Sequence, residues 1–292
     1  MKSSRLQKLF AELQVVLADE IYKRYDKVAN KVANIQKTNR DTILDSVARI
    51  ILEFEVIDGV LSLSTATRTS LKRELNKLIK DVLKGEYEDE SAVITDTLFN
   101  VAKDKYYSNC YLYGLGINYT LKPVTENVLK KIINKKIDGK TYSQRIWANK
   151  NKVAKQLRVE VDQFLNGKTT INEINSRIRK RFDVNWSNSN RLVRDSIGRV
   201  QWDANKVWRN EHNISKVMWD ATLDRKTCDD CQTYDGKVYD SNDTPNQHVM
   251  CRCELIPLVE GWKPTERIDN ITKQRINYKT YQEWYKEQDF ET

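Results

Sequence analysis

The stretch CDDCQTYDGKVYDSNDTPNQHVMCRC, residues 228–253, holds four of the chain's five cysteines and one of its two histidines. Cys228 and Cys231 are separated by two residues. After sixteen intervening residues, His248 stands three before Cys251 and five before Cys253. Two thiolates at that spacing can turn around a tetrahedral ion, and a second pair from a distant turn can complete its shell. A disulfide framework fits poorly, because nothing marks the chain as secreted and an odd cysteine would remain. The pattern therefore predicts a structural zinc site, with Cys228, Cys231, His248 and Cys251 as ligands and Cys253 as the alternative fourth. If Cys251 and Cys253 lie on a strand they share a face, which keeps a four-thiolate shell open. A closed shell leaves no position for substrate, so the metal is expected to stabilise rather than to catalyse. Cys110, far away in a helical pattern, reads as a small buried hydrophobe.

The sequence around this stretch changes texture. From Ile214 onward, ISKVMWDATLD (214–224) alternates apolar with polar residues, and turn signals such as YDGK and NDTP appear, so a small α+β module is expected. Its tail is expected to end in a helix over 280–288, capped by Thr280 with Glu283 three residues on, and with Tyr281, Trp284 and Tyr285 docking on one side.

Upstream, helical periodicity dominates. Leu6, Leu9, Phe10, Leu13, Val16 and Leu17, then Ile21, Tyr25, Val28 and Val32, form one long stripe. A second helix is expected from Thr42, closing at Gly59, and a third around Leu71, Leu75, Leu78, Ile79 and Val82, stopping at Gly85. The acidic EYEDESA should separate this from a helix over 93–113. Glycines and Pro123 place a boundary near residue 121. Beyond it, helical patterns resume, with a break at Asn166 and Gly167, an N-cap at Thr169 or Thr170, Glu173 standing three residues after Thr170 as in a capping box, and a further helix opening at Ser187 or Ser189. The fold class is thus mainly α in the N-terminal and middle regions, with a small C-terminal α+β module held by zinc. The divisions fall at 1–121, 122–213 and 214–292.

Charge refines this division. The 292 residues carry a formal net charge of +9, with a mean hydropathy of -0.70, yet seven Trp and fourteen Tyr exceed what a disordered chain carries. Lys and Arg outnumber Asp and Glu by 18 to 17 in the first segment and by 21 to 9 in the second, whereas the third has 11 against 15. The basic middle can meet nucleic acid, and Arg177, Arg179, Lys180, Arg181, Arg191, Arg194 and Arg199 are the candidate contacts. Trp186, Trp202 and Trp208 among them are expected to pack in the core. No apolar run is long enough to span a membrane, and no signal peptide is visible. Zinc hydrolases and deaminases lack their motifs here: there is no His-Glu-x-x-His, and His248 is followed by Val249 and Met250, not by x-Glu. His212 reads as a surface or capping histidine rather than the base of a nuclease.

These residues also carry a family resemblance. WDATLDRKTCDDCQTYDGKVYD (219–240) followed by HVMCRCELIPL (248–258) resembles the C-terminal domain of the minor head, or MuF-type head morphogenesis, proteins of tailed bacteriophages. Trp219, Asp224, Cys228, Cys231, Asp235, Gly236, His248, Cys251, Arg252 and Cys253 fall on that family's pattern. FLNGKTTINEINSRIRKRF (164–182) and RLVRDSIGRVQWDANKVW (191–208) resemble its helical half, and residues 270–288 resemble the endings of some phage minor capsid proteins. Two positions depart. The family's proline after the histidine is Val249, and its Arg-Thr-Glu is Arg194-Asp195-Ser196. The resemblance covers residues 140–290. It implies a non-enzymatic, low-copy virion protein inside the capsid, made in the host cytoplasm, with the portal protein, capsid or scaffold proteins and non-specifically bound DNA as partners. The competing expectations are a zinc-stabilised nuclease or toxin-like enzyme and a DNA-binding regulator.

Overall fold

In the computed structural model, the described residues are 2–116, 122–258 and 264–288. The elements run α1 (Lys2–Glu53), β1 (Val56–Ile57), β2 (Val60–Leu61), α2 (Thr65–Gly116), α3 (Glu126–Ile133), α4 (Tyr142–Leu165) and α5 (Ile171–Glu211). They continue with β3 (Lys216–Asp220), α6 (Asp229–Tyr234), β4 (Val238–Asp240), β5 (Glu254–Leu258), β6 (Glu266–Ile268), β7 (Arg275–Asn277) and α7 (Tyr281–Lys286). The chain forms two compact units from interleaved segments: Met1–Tyr25, Leu98–Asn134 and Asp195–Thr292 make one, and Asp26–Thr97 and Lys135–Arg194 the other. These do not follow the three consecutive segments read from the sequence. The stretch 117–121 lies outside the described residues, as do the side chains of Leu6, Leu9 and Phe10.

The second unit is helical around an apolar core. Ile43, Ile79, Leu157, Val161, Phe164, Leu165, Ile174 and Ile178 are fully buried there. Each such side chain contributes about 1.5–3 kcal/mol relative to exposure. A polar layer crosses the same core. Lys150 Nζ lies 2.8 Å from Glu86 Oε1 and 2.5 Å from Glu90 Oε2, with all three side chains buried. Asn185 Nδ2 donates to Glu86 at 2.7 Å, Asn39 Nδ2 donates to the other Glu86 oxygen at 3.1 Å, and Gln36 Nε2 donates to Glu90 at 3.2 Å and to Ser189 Oγ at 2.9 Å.

This layer corrects several sequence expectations at once. The sequence predicts a break before Thr42, a separator at EYEDESA and a helix start at Ser187 or Ser189. Instead α1, α2 and α5 run through all three, and Gln36, Asn39, Glu86, Glu90 and Ser189 are tied to one another and to Lys150 and Asn185 inside the unit. Gly85 is likewise interior to α2, and no other atom lies where its Cβ would be. Gly59 does not end a helix. With Asp58 at φ 51 and Gly59 at φ 77 it makes the two-residue turn of the β1–β2 hairpin, the left-handed pair that an Asp-Gly turn favours.

Elsewhere the local signals match. Thr170 and Glu173 bond reciprocally at the start of α5, and Asn166 and Gly167 precede it, while Thr141, which the sequence reading did not single out, caps α4 through a capping box with Gln144. In the first unit, β3 pairs antiparallel with both β4 and β5, in the order β4-β3-β5. Alternation along the strands sorts their side chains. Met218 and Ile256 pack with Tyr106, Cys110 and Trp208, whereas Val217, Trp219 and Leu255 pack with Cys231, Cys251 and Cys253. The β6–β7 hairpin leads into α7, whose Thr280 and Glu283 form the expected capping box. Tyr281 and Trp284 are buried against Leu223, while Tyr285 is half exposed.

Candidate metal centre

The two halves of the cysteine pattern meet. Cys228 is the N-cap residue of α6 and Cys231 lies on its first turn, so both sulfurs face the same way. The Cys228 side chain makes no cap bond; its Sγ lies 3.3 Å from His248 Nε2. Cys231 Sγ lies 3.2 Å from the same nitrogen and 3.7 Å from Cys251 Sγ. The ligand atoms of Cys228, Cys231 and His248 lie within 4.8 Å of one another, and so do those of Cys231, Cys251 and Cys253. Cys231 belongs to both groups. The cluster can hold a metal ion, with five donors converging from α6, from the turn at 248–251 and from the start of β5. Cys251 and Cys253 precede β5 rather than lying on it, yet both are buried with Leu255, as the strand alternation requires.

The donor chemistry fits a cation. His248 Nδ1 bonds the Val249 carbonyl at 2.9 Å, which favours a proton on Nδ1 and leaves Nε2 with its lone pair toward the sulfurs. Hydrogen bonds from Cys231 and Cys253 hold the Cys251 thiol down at about 4, well below the usual thiol range. The hydrogen bond to Cys251, reinforced by burial, pushes Cys231 up. Protons are thus crowded among sulfurs that would coordinate as thiolates around an ion.

The family-pattern residues around the cluster have structural tasks. Burial raises the Asp224 carboxyl, but bonds from Arg252 outweigh it and hold the group below the usual range. Arg252 grips Asp224 with both ends of its guanidinium, its Nη2 at 2.8 Å, and Thr222 Oγ1 donates to the Arg252 carbonyl at 3.0 Å. These bonds tie the loop before Cys228 to the segment between Cys251 and Cys253. Trp219 is fully buried, edge-on to Tyr234 at 5.2 Å and to Trp202 at 5.3 Å. Gly236 adopts φ +74, and a Cβ there would meet Thr280 Cγ2 and Tyr278 Oη at 3.3 Å.

Sequence reasoning missed a buried ionic knot beside the cluster. Asp235 accepts hydrogen bonds from Ala221 N at 2.7 Å, Tyr281 N at 2.6 Å and Arg267 Nη1 at 2.7 Å, and Arg267 also pairs with Asp220 at 2.8 Å. Burial drives the Asp220 carboxyl up to about 7, against the pull of Arg267. The partners lie 32 and 47 residues apart, so no local spacing signals them. Lys105, buried, reaches Glu254 at 3.2 Å in the same way.

The candidate nucleic-acid contacts all lie on α5 but differ in situation. Arg177 and Arg181, one turn apart, both bond Glu160, and Arg199 bonds Asp195 at 2.8 Å. Arg179, which bonds Asn175, is exposed, as are Lys180 and Arg191; Arg194 is half-buried. Trp208 is fully buried and Trp202 partly so, as packing required, while Trp186 is half-buried. His212 stacks on Trp208 with ring centroids 5.0 Å apart, and its Nδ1 lies 2.9 Å from the Trp208 carbonyl at the end of α5. Cys110 is buried in the apolar cluster with Tyr106 and Trp208.

Residues 155–256 match the family model described as Phage Mu protein F like protein, a span that reaches from within α4 into β5 and contains all five candidate ligands. A curated relative named NAD(+)--arginine ADP-ribosyltransferase EFV, from Enterococcus faecalis (strain ATCC 700802 / V583), is 24% identical over 309 residues, covering 97% of this chain. The chain spans 61% of that relative's length. No solved structure matches. No helix among the described residues is long and apolar enough to cross a membrane. Over residues 155–256, the chain is similar to the Phage Mu protein F-like family.

Proposed function

We propose that the protein is a minor head protein of a tailed bacteriophage. It acts as a low-copy component inside the capsid, associated with the portal and the capsid or scaffold proteins, and supports head assembly and the packaging or ejection of DNA. The observation that carries this reading is the convergence of the Cys/His cluster inside the segment that matches the Phage Mu protein F-like model. The cluster serves the module by holding zinc. A tetrahedral ion with sulfurs at about 2.3 Å and nitrogen at about 2.0 Å sets donor separations of about 3.5–3.8 Å; the Cys228–His248, Cys231–His248 and Cys231–Cys251 separations are 3.2–3.7 Å, and Cys251, which groups with Cys231 and Cys253, would close toward Cys228 and His248 on binding the ion. Soft thiolate and imidazole donors favour zinc over harder cations. Bound zinc would supply a closed cross-link between α6 and the 248–251 turn. Cys228, Cys231, His248 and Cys251 are the proposed shell, with Cys253 competing with His248 for the last place. The exposed cations of α5 contact DNA through phosphates, without reading sequence.

Copurification tests the reading: the protein should sediment with portal-bearing procapsids at a few copies per head, and its exclusion from heads would overturn the proposal. A second reading follows from the name of the Enterococcus faecalis relative, that of an enzyme acting with NAD(+) on arginine. We propose no such activity for this chain. Incubation with NAD(+) and an arginine acceptor should release no nicotinamide, and turnover would favour the enzyme.

A further inference from the structure

The turn that carries His248 and Cys251 depends on an unusual backbone. Met250, between the two ligands, adopts φ 61, a left-handed conformation that side chains other than glycine seldom take. Within the turn, Cys251 N donates to the His248 carbonyl at 3.2 Å. The bond that fixes Met250 itself comes from elsewhere: its N–H donates to Asp195 Oδ1, on α5, at 3.0 Å. Arg199, one helical turn further along α5, donates to Asp195 Oδ2 at 2.8 Å, and both side chains are largely buried. The carboxylate is thus held by one oxygen and presents the other to the turn. A bond from a backbone N–H to an ionised carboxylate is about twice as strong as a neutral one. It is spent on the single residue whose conformation decides whether His248 and Cys251 face Cys231 together.

We propose that Asp195 is a positioning residue of the metal centre, fixing the left-handed Met250 turn so that the affinity of the site is set from helix α5. The inference rests on the zinc reading of the cluster. It assigns Asp195 a geometric task, exerted through its bond to the Met250 N–H. Linkage makes the coupling reciprocal: metal binding should slow amide exchange at Met250.

The test uses the full chain loaded with zinc, and separately with cobalt as a spectroscopic probe. Transfer of zinc to an excess of a chromophoric chelator should be about 10- to 100-fold faster in Asp195→Ala, the range seen when partners of metal ligands are removed. Asp195→Asn, which keeps an acceptor oxygen, should fall between the two, and the exposed Asp183→Ala should match wild type. The visible cobalt spectrum of Asp195→Ala should change as a ligand of the 248–251 turn leaves the shell, while its far-ultraviolet circular dichroism stays at the wild-type value. Equal release rates in wild type and both Asp195 variants, with zinc bound in all, would overturn the proposal alone. Wild type without bound metal would overturn the zinc reading and this proposal with it.

Discussion

Cys231 is the sulfur common to both ligand groups, so Cys231→Ser is the most informative single perturbation of the cluster. Its side chain is about 1% exposed and packs with Val217, Trp219, Cys251 and Leu255. Serine occupies nearly the same volume, so the packing loss is small and the lost metal dominates. With free zinc at 100 to 1,000 times its dissociation constant, binding stabilises the folded state by about 2.7–4.1 kcal/mol. For a unit of 150–250 residues, each kcal/mol moves Tm by about 2–4 °C. The variant should therefore melt roughly 5–16 °C lower than zinc-loaded wild type and match chelator-treated wild type. Differential scanning calorimetry with and without chelator measures this directly. Cys110→Ser is the control. That residue is buried away from the cluster, so the variant should retain one zinc per chain and its sensitivity to chelator. The reasoning fails if Cys231→Ser melts with wild type, or if chelator lowers both by the same amount.

Three further outcomes follow from other parts of the molecule. Lys150→Met leaves Glu86 and Glu90 buried without their cation, and should cost about 3–5 kcal/mol in denaturant titrations of the full chain; a loss below about 1 kcal/mol would show that the layer tolerates unpaired carboxylates. Asp220 has a folded pKa of about 7, above its unfolded value, so the folded state holds the extra proton. Its contribution is therefore fully present below about pH 4 and is lost as pH rises to 7. The stability difference between wild type and Asp220→Asn should shift against wild type across that window at saturating zinc, whereas parallel curves would remove Asp220 as the cause. Neutralising the exposed Arg179, Lys180 or Arg191 should each lower the salt slope of DNA binding by about 1, whereas Arg177→Ala and Arg181→Ala should mainly weaken the Glu160 pairing; equal effects on binding from both sets would contradict that division.

What the sequence made legible was local. Caps at Thr170 and Thr280 act within three residues, so their spacing alone revealed them. The cysteine pattern was readable for the same reason: each half is a short turn, and only their meeting needed the fold. Helix continuity was not legible, because Gln36, Glu86, Glu90 and Ser189 are polar letters whose partners come from other helices. Read one helix at a time they look like breaks. The Asp220–Arg267–Asp235 knot and the Asp195–Met250 bond have the same character, joining residues tens of positions apart. Gly59 shows a subtler limit. A left-handed glycine suits both a helix end and a hairpin turn, and only the pairing of Val56–Ile57 with Val60–Leu61 decides between them.

The most direct measurement of the central claim is native mass spectrometry of the full chain with X-ray absorption at the zinc edge. The account predicts one zinc per chain in a four-coordinate shell dominated by sulfur, with zinc–sulfur distances of about 2.3 Å. A chain that binds no zinc, or whose zinc is bound mainly through oxygen, would contradict it.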